Sequence, residues 1–198
     1  MVGDRFPVSE PPREFEWDVE TFVQALHAGL FKDDDRYELI DGRLLQMPTE
    51  QPHSIVSTLF FEALAVVFGQ EWLVWKESPL RLHPRTRPTP DVSVVPGPRS
   101  RWFQEMPRVG DARLLVEVSA STLADDLGRK AEIYAGEGVP EYWVVDVYGD
   151  RLFLLTEPKD GHYRSRRELR LDDLVPYIER PLSDLIPVRY DRRGDQAN

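Results

Sequence analysis

Residues 113–118, Arg-Leu-Leu-Val-Glu-Val, place the strongest constraint on any fold this chain can adopt. A strand with one wet face alternates polar and apolar side chains, whereas this run is apolar at successive positions and demands cover on both sides. Such a strand belongs in the middle of a sheet with helices packed against it. That points to a mixed α/β fold, a central sheet flanked by helices. Glu117 nevertheless stands near the end of the run, and a helix-like stretch from Thr122 to Lys130 follows closely. A carboxylate carried into a buried sheet needs a cation or hydrogen bonds, because desolvation alone is costly.

The remaining elements fit one domain around one sheet. Val19, Phe22, Val23, Leu26 and Leu30 fall at helical spacing. Residues 37–40 and 43–47 flank Asp41-Gly42, a pair favoured in two-residue hairpin turns. Pro52–Phe68 has the wide apolar face of a buried helix. Residues 72–75, 80–82 and 91–95 read as strands, the last entered through Pro88-Thr-Pro90. Pro96–Gly110, with two further prolines and with Arg99 and Arg101 near Trp102, reads as a mobile loop. Thr122 and Asp125 resemble a capping box opening a helix that ends near Gly136 or Gly138. A hairpin over Gly149-Asp150 joins residues 142–147 to 151–155, and a further strand follows. Residues 1–14 are expected to form a loose arm, 15–187 a single domain and 188–198 a frayed tail.

Several function classes fall away. The chain has no cysteine, which removes disulfides, thiolate zinc sites and thiol nucleophiles. No GxxxxGK, GxGxxG or HExxH motif is present. His27, His53, His83 and His162 lack zinc-ligand spacing, and Ser57 and Ser93 lack a nucleophile-elbow context. With no apolar leader core and no run of membrane-spanning length, the expectation is a cytoplasmic protein with no membrane partner. A net charge of −10 argues against gripping nucleic acid by bulk attraction. Two arginine clusters interrupt the acidic balance: Arg81, Arg85, Arg87, Arg99, Arg101, Arg108 and Arg113, then Arg164, Arg166, Arg167 and Arg170. Solvated loops and strand edges account for them more simply than a phosphate-facing rim.

Asp91 opens one short strand and Glu117 closes another. If those strands are neighbours, two carboxylates meet, repelling each other unless something positive joins them. A divalent cation is the natural partner, and Mg²⁺ prefers oxygen ligands. Asp126, Lys130 and Tyr134 lie at i, i+4 and i+8, one helical stripe that can be aimed at the pair. Each residue also has an ordinary reading. Asp126 and Lys130 make a surface ion pair, Asp91 a turn, Glu117 an edge acid and Tyr134 a core aromatic.

The motifs Tyr37-Glu-Leu-Ile-Asp-Gly42, Pro90-Asp-Val92, Glu117-Val-Ser119, Asp126-Leu-Gly-Arg-Lys130, Tyr134-Ala135 and Gly138-Val-Pro-Glu-Tyr-Trp143 occur in this order. Together they resemble the Uma-type family of bacterial restriction endonuclease-like proteins, within the PD-(D/E)XK nuclease superfamily, over residues 17 to 187. The resemblance implies a restriction-endonuclease-like core and a Mg²⁺-dependent endonuclease, with Mn²⁺ as a substitute ion and DNA as substrate. It assigns Glu38, Asp91 and Glu117 to the metal. The superfamily's lysine two positions beyond the glutamate is here Ser119; the family pattern transfers its role to Lys130. Ser119 and Ser121 then become turn and cap residues. Tyr134 and Asp126 stand close by, and His53 either meets substrate or caps its helix. Two cuts in a duplex call for two sites, hence a homodimer. The alternative is an inactive nuclease fold that binds nucleic acid or a protein partner without cutting.

Overall fold

The doubly apolar run is the strand β5 (Leu114–Ser119), and all six of its residues are buried. The computed structural model describes residues 14–31, 36–47 and 50–186. Nearly all of the expected arm, and all of the expected tail, lie outside the described residues. In chain order the elements are α1 (Val19–His27), β1 (Arg36–Ile40), β2 (Arg43–Met47), α2 (Gln51–Phe68), β3 (Trp72–Lys76), β4 (Val92–Pro96) and β5. A helical segment follows in three parts: α3 (Leu123–Asp125), a π-helical stretch Asp126–Lys130 and α4 (Ala131–Gly136). The strands β6 (Glu141–Asp146), β7 (Arg151–Lys159) and β8 (His162–Arg170) complete the sheet.

Six strands form one sheet in the order β3-β4-β5-β6-β7-β8. β5 and β6 run parallel, joined by the helical segment, while the other pairs are antiparallel. The fold is therefore a mixed α and β one with a mixed sheet. Alternation along β5 explains why it is apolar throughout. Leu114, Val116 and Val118 join Val56, Phe60 and Leu64 of α2 in one core cluster. Leu115 faces the other way, into a second cluster with Tyr134, Tyr142 and Val144.

The hairpin β1–β2 stands apart as a two-stranded sheet. Asp41 and Gly42 take φ of 50° and 78° at its turn, the left-handed pair that a tight hairpin of this twist requires. Isolated two-stranded hairpins are marginal, and this one is held by its surroundings. The Arg87 N–H donates to the Leu39 carbonyl at 2.7 Å, and the Asp41 N–H donates to Thr86 Oγ1 at 2.9 Å.

Four sequence expectations are corrected. Residues 80–82 form no strand; Arg81 makes an isolated bridge to Arg108. Pro96–Gly110 is anchored rather than loose, since Trp102 is buried and its indole N–H donates to the Pro96 carbonyl at 2.8 Å. Thr122 makes no side-chain cap; its hydroxyl donates to Asp126 Oδ2 at 2.6 Å. α2 is long and apolar enough, by length and composition, to cross a membrane, contrary to the reading that no run is. In this fold one face of it covers the sheet.

Phe60 is fully buried at the centre of the α2–sheet cluster. Phe60→Ala is expected to cost about 3–5 kcal/mol, the usual cost of emptying such a site. Denaturant titration measures it, and a loss below about 1 kcal/mol would mean that α2 does not seal this core.

Candidate functional site

The strand register brings the two central acids together. β4 and β5 pair antiparallel with Val92 opposite Val116, so the next step along the same register sets Asp91 opposite Glu117. Val92 and Val116 enter the α2-side core, and alternation turns Asp91 and Glu117 to the other face. The Val118 N–H donates to Asp91 Oδ2 at 2.7 Å, fixing that carboxylate against β5. Glu38 arrives from β1, with the Thr89 N–H donating to its Oε1 at 3.3 Å.

Lys130 stands among these acids. Its Nζ lies 3.0 Å from Glu38 Oε2, 3.1 Å from Glu117 Oε1 and 3.6 Å from Asp126 Oδ1, with all four side chains buried. Burial opposes its charge, but Glu117, Glu38, Asp126 and Asp91 together outweigh that and hold the ammonium well above the ordinary lysine range. Burial pushes Glu117 well up, against the pull of Lys130, and raises Glu38 for the same reason. Asp91 is held low: burial is overcome by the His53 hydrogen bond and charge, by Arg36 and by the Val118 N–H.

The surrounding residues lock this arrangement. The Tyr134 hydroxyl donates to Glu117 Oε1 at 2.7 Å. Ser119 Oγ and Thr122 Oγ1 donate to Asp126 Oδ2 at 2.5 and 2.6 Å, leaving Oδ1 to face Lys130. Ser119 thus holds the acid of the helical stretch that also carries Lys130. His53 Nε2 lies 3.0 Å from Asp91 Oδ1, so the imidazole is turned into the site and not toward capping its helix. The Arg129 guanidinium ties the helical segment to the hairpin through the Ile40 carbonyl at 2.9 Å.

Two participants escaped the sequence reading. Arg36 reaches Asp91 Oδ1 at 3.1 Å and Glu77 Oε1 at 3.5 Å. Its signal was present, since Arg36 and Glu38 sit two apart on one strand and share a face. Glu77 follows β3 directly, where its N–H donates to the Asp91 carbonyl at 2.9 Å. Only the register of β3 on β4 places it there. The arginine clusters, by contrast, are compensated in part. Arg81 pairs with Glu105, Arg113 with Glu141, Arg164 with Asp160 and Arg170 with Glu168.

The donor chemistry fits a divalent cation. Five carboxylates, Glu38, Glu50, Asp91, Glu117 and Asp126, line the cleft with two cations, Lys130 and Arg36, so acid exceeds base there. The cleft has about 20 Å³ of free volume, room for one water or one ion. His53, Glu77 and Asp91 also bring their ligand atoms within 4.8 Å of one another.

The comparisons with known proteins give a family and a fold. The family described as "Putative restriction endonuclease", Uma2, matches residues 19–180. A crystal structure of a "putative nuclease belonging to DUF820" from Anabaena variabilis superposes with a TM-score of 0.63 at 16% identity. It covers 81% of this chain and 95% of that one. No match is found among curated proteins.

Lys130→Met leaves Glu38 and Glu117 buried without their common cation. At neutral pH it is expected to lower stability by about 3–5 kcal/mol. Both carboxyls have raised folded-state values, so the folded chain binds their protons more tightly than the unfolded one. Stability of the variant therefore rises as pH falls toward the ordinary carboxylate range and declines as pH climbs through the raised values. Unfolding titrations across pH measure this; an equal loss at every pH would contradict the pairing.

Proposed function

Because the chain belongs to the Uma2 family, we propose that it is a metal-dependent endonuclease hydrolysing DNA phosphodiester bonds, with Glu38, Asp91 and Glu117 holding the ion. One observation carries this reading: Glu38 and Glu117, from two separate strands, meet one buried lysine from the helical segment, with Asp91 opposite Glu117 in the β4–β5 register and acids outnumbering bases in the cleft. Oxygen donors of this kind suit Mg²⁺, and Mn²⁺ in its place. A divalent ion bound there supplies charge neutralisation at a phosphate and activation of a water molecule.

The chain's own residues have distinct tasks in this reading. Lys130 is held protonated by its four acidic neighbours, so it acts as a fixed positive charge and hydrogen-bond donor toward the scissile phosphate, and not as a base. Tyr134 and Lys130 both load Glu117 Oε1, which fixes the rotation of that carboxylate. His53 and the Val118 N–H do the same for Asp91. Asp126 orients Lys130 from one turn away. The sites are prearranged by the fold before substrate arrives. Cutting both strands of a duplex draws on two copies of the site, which is the reason to include a homodimer in the proposal.

Asp91→Asn and Lys130→Ala are each expected to lower Mg²⁺-dependent cleavage of plasmid and linear DNA by about 10²–10³-fold, the scale of losing one charge-stabilising group. Cleavage that survives both changes would reject the assignment. Metal binding with no turnover on any DNA would favour the non-cutting alternative, a nuclease fold that only binds.

Glu117 takes up its proton above the ordinary carboxylate range, so ion binding must expel that proton at acid pH. Affinity for Mn²⁺ is therefore expected to rise with pH across that range, with proton release. Calorimetry in buffers of different ionisation enthalpy reads the release directly, and pH-independent binding would exclude Glu117 as a ligand.

A further inference from the structure

Helix α1 leaves part of its apolar surface uncovered. Phe22 and Ala25 are buried, while Val19 and Val23, one turn apart, are only partly so. Both valines line a groove, together with Leu82 and Pro84 from the segment between β3 and β4 and Met106 from the loop after β4. The groove has a volume of about 610 Å³, within the range of about 300–1,000 Å³ usual for small-molecule sites. It shares no lining residue with the acidic cleft.

The groove also holds a cation without a counter-charge. Among its basic lining residues, Arg81 pairs with Glu105 at 2.7 Å and His83 lies 3.8 Å from Asp41, while His27 is exposed at the end of α1. Arg87 is partly buried and has no carboxylate partner among the described residues. Burial alone pulls its guanidinium below the ordinary arginine range. The guanidinium carbon lies 5.9 Å from the centre of the Phe22 ring, an attraction that replaces only part of the lost hydration. Its main chain is fixed, because the Arg87 N–H donates to the Leu39 carbonyl at 2.7 Å.

We infer that this groove binds a small amphipathic anion, an aliphatic carboxylate of medium length, with Arg87 holding the carboxylate and Val19, Val23, Leu82, Pro84 and Met106 taking the alkyl chain. A guanidinium matches a carboxylate with two parallel hydrogen bonds. The apolar walls are aliphatic, which suits a flexible alkyl body better than a stacked ring. A neutral apolar ligand would leave Arg87 unpaired, and a cationic one would be repelled, so charge selects among ligands of the same shape. Arg87 also holds β1 through Leu39, so occupancy reinforces the docking of that hairpin. None of this depends on what the acidic cleft does.

Calorimetric titration of the full chain with octanoate and with 1-octanol, both below their aggregation limits, tests this. The wild type is expected to bind one octanoate, and octanol about 10–100-fold more weakly, the scale of losing hydrogen bonds between charged partners. Arg87→Met is expected to reduce octanoate to the octanol level and to leave octanol unchanged. Val23→Trp, a filling change at a partly exposed position, is expected to exclude both ligands. Thermal melting verifies that each variant is folded. Equal affinity for octanoate and octanol, or no octanoate bound by the wild type, would overturn the inference. So would wild-type octanoate affinity in folded Arg87→Met or in folded Val23→Trp. A wild-type dimer in solution that Val23→Trp dissociates would assign the groove to a second copy of the chain and overturn it as well.

Discussion

A lysine ammonium sealed from solvent, with a carboxylate oxygen on either side at about hydrogen-bond distance, is the interaction on which the rest of this structure turns. Taking such charges out of water costs several kcal/mol per ion, and their mutual attraction offsets that only when geometry is tight. The geometry here is tight because the lysine belongs to the helical segment, Glu117 to the central strand and Glu38 to a hairpin outside the main sheet. The ion pairs thus help dock that hairpin as well as assemble the cleft. Fold and site share one set of contacts, and weakening the charge balance loosens both.

The helix that carries Lys130 is locally irregular, and the irregularity has identifiable partners. Residues Asp126–Lys130 form a π-helical stretch between two α-helical ones, and both end residues are buried. Such stretches are rare and recur at functional sites. Here the Tyr142 hydroxyl donates to the Asp126 carbonyl at 2.9 Å, and the Ser119 and Thr122 hydroxyls hold the Asp126 side chain. Tyr142 packs edge-on against Tyr134, whose hydroxyl holds Glu117. A short polar chain therefore runs from β6 through the helix to the central carboxylate.

Much of this was legible in the residues. Asp41-Gly42 announced its hairpin because so few residue pairs tolerate the required φ, and β5 announced its central place because nothing polar interrupts it before Glu117. The stripe of Asp126, Lys130 and Tyr134 was legible as a helix face, although the π turn that seats it was not. The structure brings all of the anticipated residues, Glu38, His53, Asp91, Glu117, Ser119, Asp126, Lys130 and Tyr134, into one neighbourhood. What stayed hidden depended on pairing between separate segments or on local side-chain bonds that composition does not reveal. Glu77 meets Asp91 only through the β3–β4 register, and Thr122 forsook its cap for Asp126 because a buried carboxylate competes better for a hydroxyl than a helix end does. Pro96–Gly110 looked loose by composition, yet the Trp102 indole and backbone bonds at Gly97, Pro107 and Val109 anchor it.

The most direct measurement is a crystal of the full chain soaked in Mn²⁺ and recorded at the manganese absorption edge. The account requires an anomalous peak in the cleft, within bonding distance of Asp91 and Glu117 oxygens, with the Lys130 ammonium close by. An occupied manganese site elsewhere on the surface, with that cleft empty and Lys130 still bridging Glu38 and Glu117, would contradict it.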